Sequence, residues 1–340
     1  MRVEVVRGAT VESVHRVHVA VVDATGRLQA SAGDPRITTF ARSSIKAIQA
    51  LPLVEDGGAE RFGLSDEELA LCCASHSGEP HHVEAARSIL RKAGASEDAL
   101  ACGAHAPFHG PSARALTRAG IEPGRIHNNC SGKHAGMLAL ARLHDWPTAD
   151  YHEAAHPVQQ RMLAEVSRWT EVPAARIATG VDGCGVVTFA LPLTGLAGAF
   201  ARFCAAGAGS AGGAGAGAAG PGPTRLVAAM RRHPEYVAGT DRLCTELMRV
   251  TGGRIIAKVG AEGVYVAGVP AEGLGLALKV EDGAQRAVEP ALLGVLRELG
   301  LLVAEEYAAL ERYAEPALTN TRGERVGSIR PVVALEAARG

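Results

Sequence analysis

Thr39-Phe-Ala-Arg-Ser-Ser-Ile-Lys46 separates two kinds of sequence. Upstream, residues 2–32 are dense in β-branched residues, among them Val14, Val17, Val19, Val21 and Val22, and Ala24-Thr25-Gly26-Arg27 supplies a turn. Downstream, helical patterns dominate. The first opens at Ser43 and runs toward Pro52, where it is expected to kink or end. Ser43 and Lys46 stand three residues apart at that helix start, so hydroxyl and amine share a face. A serine becomes a nucleophile when a neighbouring base takes its proton. A lysine is such a base when burial or nearby positive charge depresses its pKa. The bland alternative is an N-capping serine beside a solvated lysine.

Lysine usage favours chemistry. Of 35 basic residues only five are lysines: Lys46, Lys92, Lys133, Lys258 and Lys279. Arginine fills most places where a generic positive charge suffices, so a retained lysine is expected where the proton must be lost. Three of the five lie in Gly/Ser/Cys-rich stretches: Ser43-Ser-Ile-Lys46, Cys130-Ser-Gly-Lys133 and Lys258-Val-Gly260.

At 340 residues the chain can bury a large core. No interior linker marks a boundary, so 1–340 reads as a single catalytic domain with an α/β core and a helical subregion. An apolar content of 47% excludes disorder, and no apolar run nears the roughly 20 residues of a membrane span. A net charge of −1 with interspersed signs gives no footprint for nucleic acid or a membrane surface. The N-terminus reads as a strand and not a signal peptide, and the seven scattered cysteines read as reduced thiols. A cytoplasmic enzyme is expected.

Ser65-Asp66-Glu67-Glu68 is a capping box, and Pro80 starts a helix that Gly94 ends. Residues 102–136 look loop-rich, and their last part opens a helix through Met137, Leu140, Ala141 and His144 that stops before Pro147. Another helix carries Val158, Met162, Val166 and Trp169. The run at 205–223 is Gly/Ala-rich and reads as a flexible loop. Helices near 224–232 and 241–250 precede a hairpin-like pair, 255–269 and 273–280. A helix near 290–312 and a strand at 326–333 follow. Strands at both ends and helices between them predict an α+β protein, its antiparallel sheet formed by both termini.

Ser75, in the loop Ala74-Ser-His-Ser-Gly78, and Lys258 could form a second serine–lysine couple. An S-x-x-K helix start, a loop serine and a K-x-G strand, in this order, are similar to the penicillin-recognising serine hydrolases. Cys130 and Cys184 sit in glycine-rich loops and are candidate Zn2+ ligands with Lys133. His105, His127 and His134 are alternatives to the lysine, and reduced loop thiols are the bland reading. Asn128, Asn129 and Asp182 suit either a small polar ligand or turn formation.

Arg42-Ser-Ser-Ile-Lys46, Ala74-Ser-His-Ser-Gly-Glu79, His127-Asn-Asn-Cys-Ser-Gly-Lys-His-Ala-Gly136 and Val181-Asp-Gly-Cys-Gly185 together resemble the Rhizobium etli-type L-asparaginases, also called asparaginase II or class 3. The resemblance runs over roughly 8–335 and leaves out the Gly/Ala run. It implies a serine β-lactamase/penicillin-binding-protein-like fold and hydrolysis of L-asparagine to L-aspartate and ammonia. It further implies Ser43/Lys46 and Ser75/Lys258 as two catalytic tandems, and Zn2+ on Cys130, Lys133, Cys184 and a water, assisting recognition. A homodimer with a small-molecule substrate is the expected assembly. Arg42 is the expected partner of the substrate's α-carboxylate and Asp182 of its α-ammonium, with His134 beside them. Glutaminase or β-lactam hydrolase chemistry, or a non-catalytic zinc- or amino-acid-binding role, are the alternatives.

Overall fold

The strand patterns at both ends of the chain pair with one another. In the computed structural model, which describes residues 1–208 and 220–338, β1 (Arg2–Arg7) lies antiparallel to both β2 (Thr10–Asp23) and the C-terminal strand Arg325–Val332. In chain order the remaining strands are β3 (Leu28–Ala32), β4 (Thr38–Phe40), β5 (Ala178–Val181), β6 (Val187–Pro192), β7 (Ile256–Val259), β8 (Val264–Val269), β9 (Leu274–Val280) and β10 (Ala317–Thr319). Arg325–Val332 is β11, and β12 is Glu336–Ala337. The main sheet runs β10-β11-β1-β2-β9-β8-β7, and β12 and β3 continue it off β2. A small antiparallel sheet of order β4-β6-β5 stands apart from it. The protein is therefore a mixed α+β structure whose antiparallel sheet includes both terminal strands.

Strands β8 and β9 are buried at consecutive residues, so both faces of the sheet are covered there. The helix Leu193–Gly207 lies against β2, β8 and β9, and Gln285–Glu298 lies against β1, β9 and β11. The first of these contacts leaves no room for a side chain. A Cβ added at Gly275 of β9 would stand 2.0 Å from the Ala197 carbonyl oxygen and 2.4 Å from the Ala201 nitrogen. Backbone cannot yield there as a side-chain tip would. Gly275→Val is expected to destabilise the fold by at least about 1–3 kcal/mol, the usual cost of overpacking, read as a lower denaturant midpoint at unchanged slope.

Several boundaries differ from the sequence reading. Pro52 does not end its helix: Lys46–Glu55 continues through it, and burial of Ile48, Leu51, Leu53 and Val54 compensates for one missing hydrogen bond. Gly110–Arg118 is helical within the stretch read as loop; none of its residues is fully buried, so it carries little apolar signal. The expected hairpin is three strands, because the turn at Glu262 and Gly263, both at positive φ, separates β7 from β8. The helix read over 290–312 breaks at Gly300, also at positive φ, into Gln285–Glu298, Ala304–Ala309 and Glu311–Ala314. Of the run read as a loop over 205–223, residues 205–207 complete the Leu193–Gly207 helix and residues 221–223 open Pro221–Arg232. Residues 209–219 lie outside the described residues.

Candidate active site

Four chain segments converge at one edge of the main sheet. Strand β7 is that edge, and its Lys258 points inward with no exposed surface. Close against it, the short 3-10 turn Arg42–Ile45 leads into Lys46–Glu55, and a Cβ on Gly260 would stand 3.0 Å from the Ala41 carbonyl oxygen. The capping box at Ser65 starts Asp66–Cys72, whose end delivers the Ala74–Gly78 loop. The helix Ser131–Leu143 crosses Asp66–Cys72 so closely that a Cβ at Gly132 would meet Leu71 atoms at 2.5 Å and one at Gly136 the Cys72 sulfur at 2.9 Å. The two glycines of Gly132-Lys-His-Ala-Gly136 thus set how deep Cys130 and Lys133 sit.

Ser75 Oγ lies 3.0 Å from Lys46 Nζ and 3.0 Å from Lys258 Nζ. Lys46 also donates to the Ala74 carbonyl at 2.6 Å and reaches Cys130 Sγ at 3.1 Å, and Lys258 donates to the Val259 carbonyl at 2.8 Å. Both amines are fully buried, and among the described residues neither forms an ion pair with a carboxylate. Two ammonium groups around one hydroxyl, without counter-charge, repel each other. Burial pushes the Lys258 pKa down to about 7, and the charges of Lys46 and Arg242 add to the effect.

Ser43 is half-buried, and its hydroxyl makes no hydrogen bond among the described residues. The amine expected to pair with it, Lys46 Nζ, points to Ser75 instead. The preceding residue, Arg42, has a φ of +50°, rare for a side chain of its size. Its Nε sits 2.7 Å from Asp182 Oδ1, so the two groups expected to hold opposite ends of a substrate hold each other. Asp182 Oδ1 also accepts the Gly183 N–H at 2.8 Å. Ser44, by contrast, is structural: buried, it donates to the Ala41 carbonyl at 2.7 Å.

A second cluster adjoins the first through Cys130. Cys130 and Cys184 lie side by side, and Lys133 Nζ reaches the Cys184 sulfur at 3.1 Å. The pairing with Cys130 first, and the charge of Lys133 after it, hold the Cys184 thiol far below its ordinary pKa against the opposing effect of burial, while the same pairing and burial raise Cys130. His134 lies beside Cys184, with burial lowering its pKa to about 4. Two buried sulfurs, with the Lys133 amine 3.1 Å from one of them, offer zinc a donor set whose nitrogen must first lose its proton. Asn128 and Asn129 serve the loop: Asn128 accepts the Cys130 N–H at 2.8 Å, and Asn129 meets His105 at 3.3 Å. His127 bonds its own turn at Gly124.

Metal-ligand spacing also occurs elsewhere. Glu79, His81 and His82 bring ligand atoms within 4.8 Å of one another, a group that could hold an ion, as do Asp150, His152 and Glu153. In the first group both Glu79 oxygens already bind Thr240, and both His82 nitrogens are hydrogen-bonded.

Two residues of the site had no signal in the sequence. Arg242 looked like a helix start, yet its guanidinium reaches Ser77 Oγ at 3.2 Å and adds positive potential at Lys258. Tyr151 sits in an unremarkable loop, yet its hydroxyl contacts His134.

The sequence model of the L-asparaginase II family matches residues 3–331, and the chain belongs to that family. Membership makes it an amidohydrolase of the asparaginase kind. No curated protein matches the chain. Two solved structures, both described as crystal structure analyses of Mglu and the second in its native form, are distantly similar at 15% identity. The first has a TM-score of 0.39, covering 85% of this chain and 68% of that one; the second 0.38, covering 84% and 64%. Among the described residues, no helix is long and apolar enough to cross a membrane.

Proposed function

We propose that this member of the L-asparaginase II family hydrolyses L-asparagine to L-aspartate and ammonia through an acyl-enzyme on Ser43. The supporting observation is the buried relay Lys46–Ser75–Lys258, with two amines each 3.0 Å from one hydroxyl. A single missing proton can sit on either amine, because Ser75 can pass a proton between them without moving a heavy atom. Lys46 stands one turn after Ser43 on the same face, where a neutral amine would serve as the base for its hydroxyl.

Ser43 Oγ then bonds to the side-chain amide carbon as its proton passes to Lys46, and backbone N–H groups at the helix start stabilise the oxyanion. The C–N bond breaks as the relay returns that proton to the departing nitrogen, which leaves as ammonia. Water repeats the sequence on the ester: it loses a proton to the relay, releases aspartate and restores the Ser43 hydroxyl. Ser43 is the nucleophile in this scheme because a substrate can reach it, whereas Ser75 is buried between its two amines. The Arg42–Asp182 pair opens onto the zwitterionic end of asparagine, exchanging one ion pair for two of the same net charge. The order of the reactive segments supports a serine β-lactamase/penicillin-binding-protein-like architecture in a single catalytic domain. A cytoplasmic homodimer belongs to the same proposal.

Cys130, Lys133 and Cys184 would hold Zn2+, which supplies a Lewis acid and a fixed positive charge beside the substrate. The chain's part is to shed the Cys130 and Lys133 protons on binding, so zinc affinity is expected to fall as pH drops from about 9 to 6. Chelation is expected to raise KM more than it lowers kcat, because recognition, not nucleophile formation, is what the ion assists. Metal content and steady-state kinetics before and after chelation check this. Zinc-free protein whose kinetics ignore added zinc would reduce both cysteines to ordinary thiols. Ammonia release from asparagine, glutamine and a chromogenic β-lactam tests the substrate assignment; turnover of either alternative above asparagine would overturn it.

A further inference from the structure

Tyr151 approaches the second cluster from a loop outside all the motifs above. It is fully buried, its ring edge-on to that of His134 at 5.6 Å between centroids. Its hydroxyl oxygen receives the Ala101 N–H at 2.9 Å and stands 2.5 Å from His134 Nδ1. A backbone N–H can only donate, so the Ala101 bond uses one lone pair of the phenol oxygen. Burial pushes the Tyr151 pKa up, which keeps its own proton in place. Among the described residues that proton has one acceptor in reach, His134 Nδ1. The proton of the neutral imidazole must then sit on Nε2. That atom is buried and has no hydrogen-bond partner among the described residues.

We propose that Tyr151 is a positioning residue that locks His134 as its Nε2–H tautomer, leaving an unpartnered N–H to donate to an acceptor oxygen of the substrate. Its part toward substrate rests on the asparaginase reading; the tautomer does not. A protonated Nε2 has no lone pair to give a metal, and an Nδ1 already bonded to Tyr151 cannot give one either. In this tautomer His134 is therefore neither a zinc ligand nor a base.

The test is two-bond proton–nitrogen NMR on protein carrying 15N-histidine, with His134 assigned by its loss in His134→Gln. The wild type, with and without added zinc, should show Nδ1 unprotonated and Nε2 protonated. An Nδ1–H signal, or loss of the Nε2 proton on adding zinc, would overturn the proposal. Tyr151→Phe should release the lock, giving a tautomer mixture, and lower kcat/KM for asparagine about tenfold, the worth of about one hydrogen bond. His134→Gln, which places an amide N–H near the Nε2 position, should outperform His134→Asn, and the reverse order would count against a donor. The wild-type spectrum decides even where a variant fails to fold. Failure of Ser43 as nucleophile would leave the tautomer result standing.

Discussion

Ser43→Ala is expected to lower kcat for asparagine by about 10^4-fold or more while leaving the protein folded. The size of the loss follows from the role: without Oγ no acyl-enzyme forms, and the relay has nothing to deprotonate. The structural cost is small because the hydroxyl makes no hydrogen bond among the described residues and is half-buried. A stability change within about 0.5 kcal/mol is the usual result at such a site. The contrast with Ser44→Ala is informative, because Ser44 is buried and bonded to Ala41 and should cost stability but not turnover. Steady-state kinetics with circular dichroism checks both. If Ser43→Ala kept a tenth of its activity, and a reactive asparagine analogue labelled Ser75, the acyl group would belong to Ser75.

Lys258→Arg should be nearly as damaging as Lys258→Met, each losing on the order of 10^2- to 10^4-fold, the usual worth of a general acid–base group. Arginine preserves the positive charge but cannot release its proton, and it is too large for a site where Lys258 has no exposed surface. Methionine preserves the buried volume and removes the charge, so it separates loss of the base from loss of packing. Lys46→Arg is expected to behave likewise, since it shares the proton through Ser75. The same relay dictates a pH profile. With the Lys258 pKa lowered to about 7, the neutral amine is present above that pH and is lost as pH falls through it. The kcat/KM of the wild type should therefore fall toward acid below about 7, tenfold per unit at the limit. An arginine variant at either position that kept most of its rate would make that lysine a fixed charge and not a base.

Much of this was legible because chemistry left a compositional mark. In a chain that writes arginine almost everywhere, Lys46, Lys133 and Lys258 stand out in the sequence, and all three are buried. The terminal strands were legible through their β-branched residues, and they pair as β1, β2 and β11. The helix Leu193–Gly207 was not legible. It is apolar on most sides, as a helix covered all round must be, so it shows no amphipathic stripe to read.

The sequence by itself determined which residue types were available: one serine–lysine couple by spacing and a second serine and lysine by the order of their motifs, two loop cysteines, and strands at the termini with helices between. Only the tertiary structure decided which partners meet. Ser43 and Lys46 are three apart in sequence, yet Lys46 turns to Ser75, 29 residues away, and to Cys130, 84 away. Arg42 closes on Asp182 across 140 residues, and Lys258 on Ser75 across 183. Spacing along a helix limits which side chains can share a face. Which of them share a proton depends on the low-dielectric space between segments, and that space exists only once Gly132, Gly136 and Gly260 have let those segments approach.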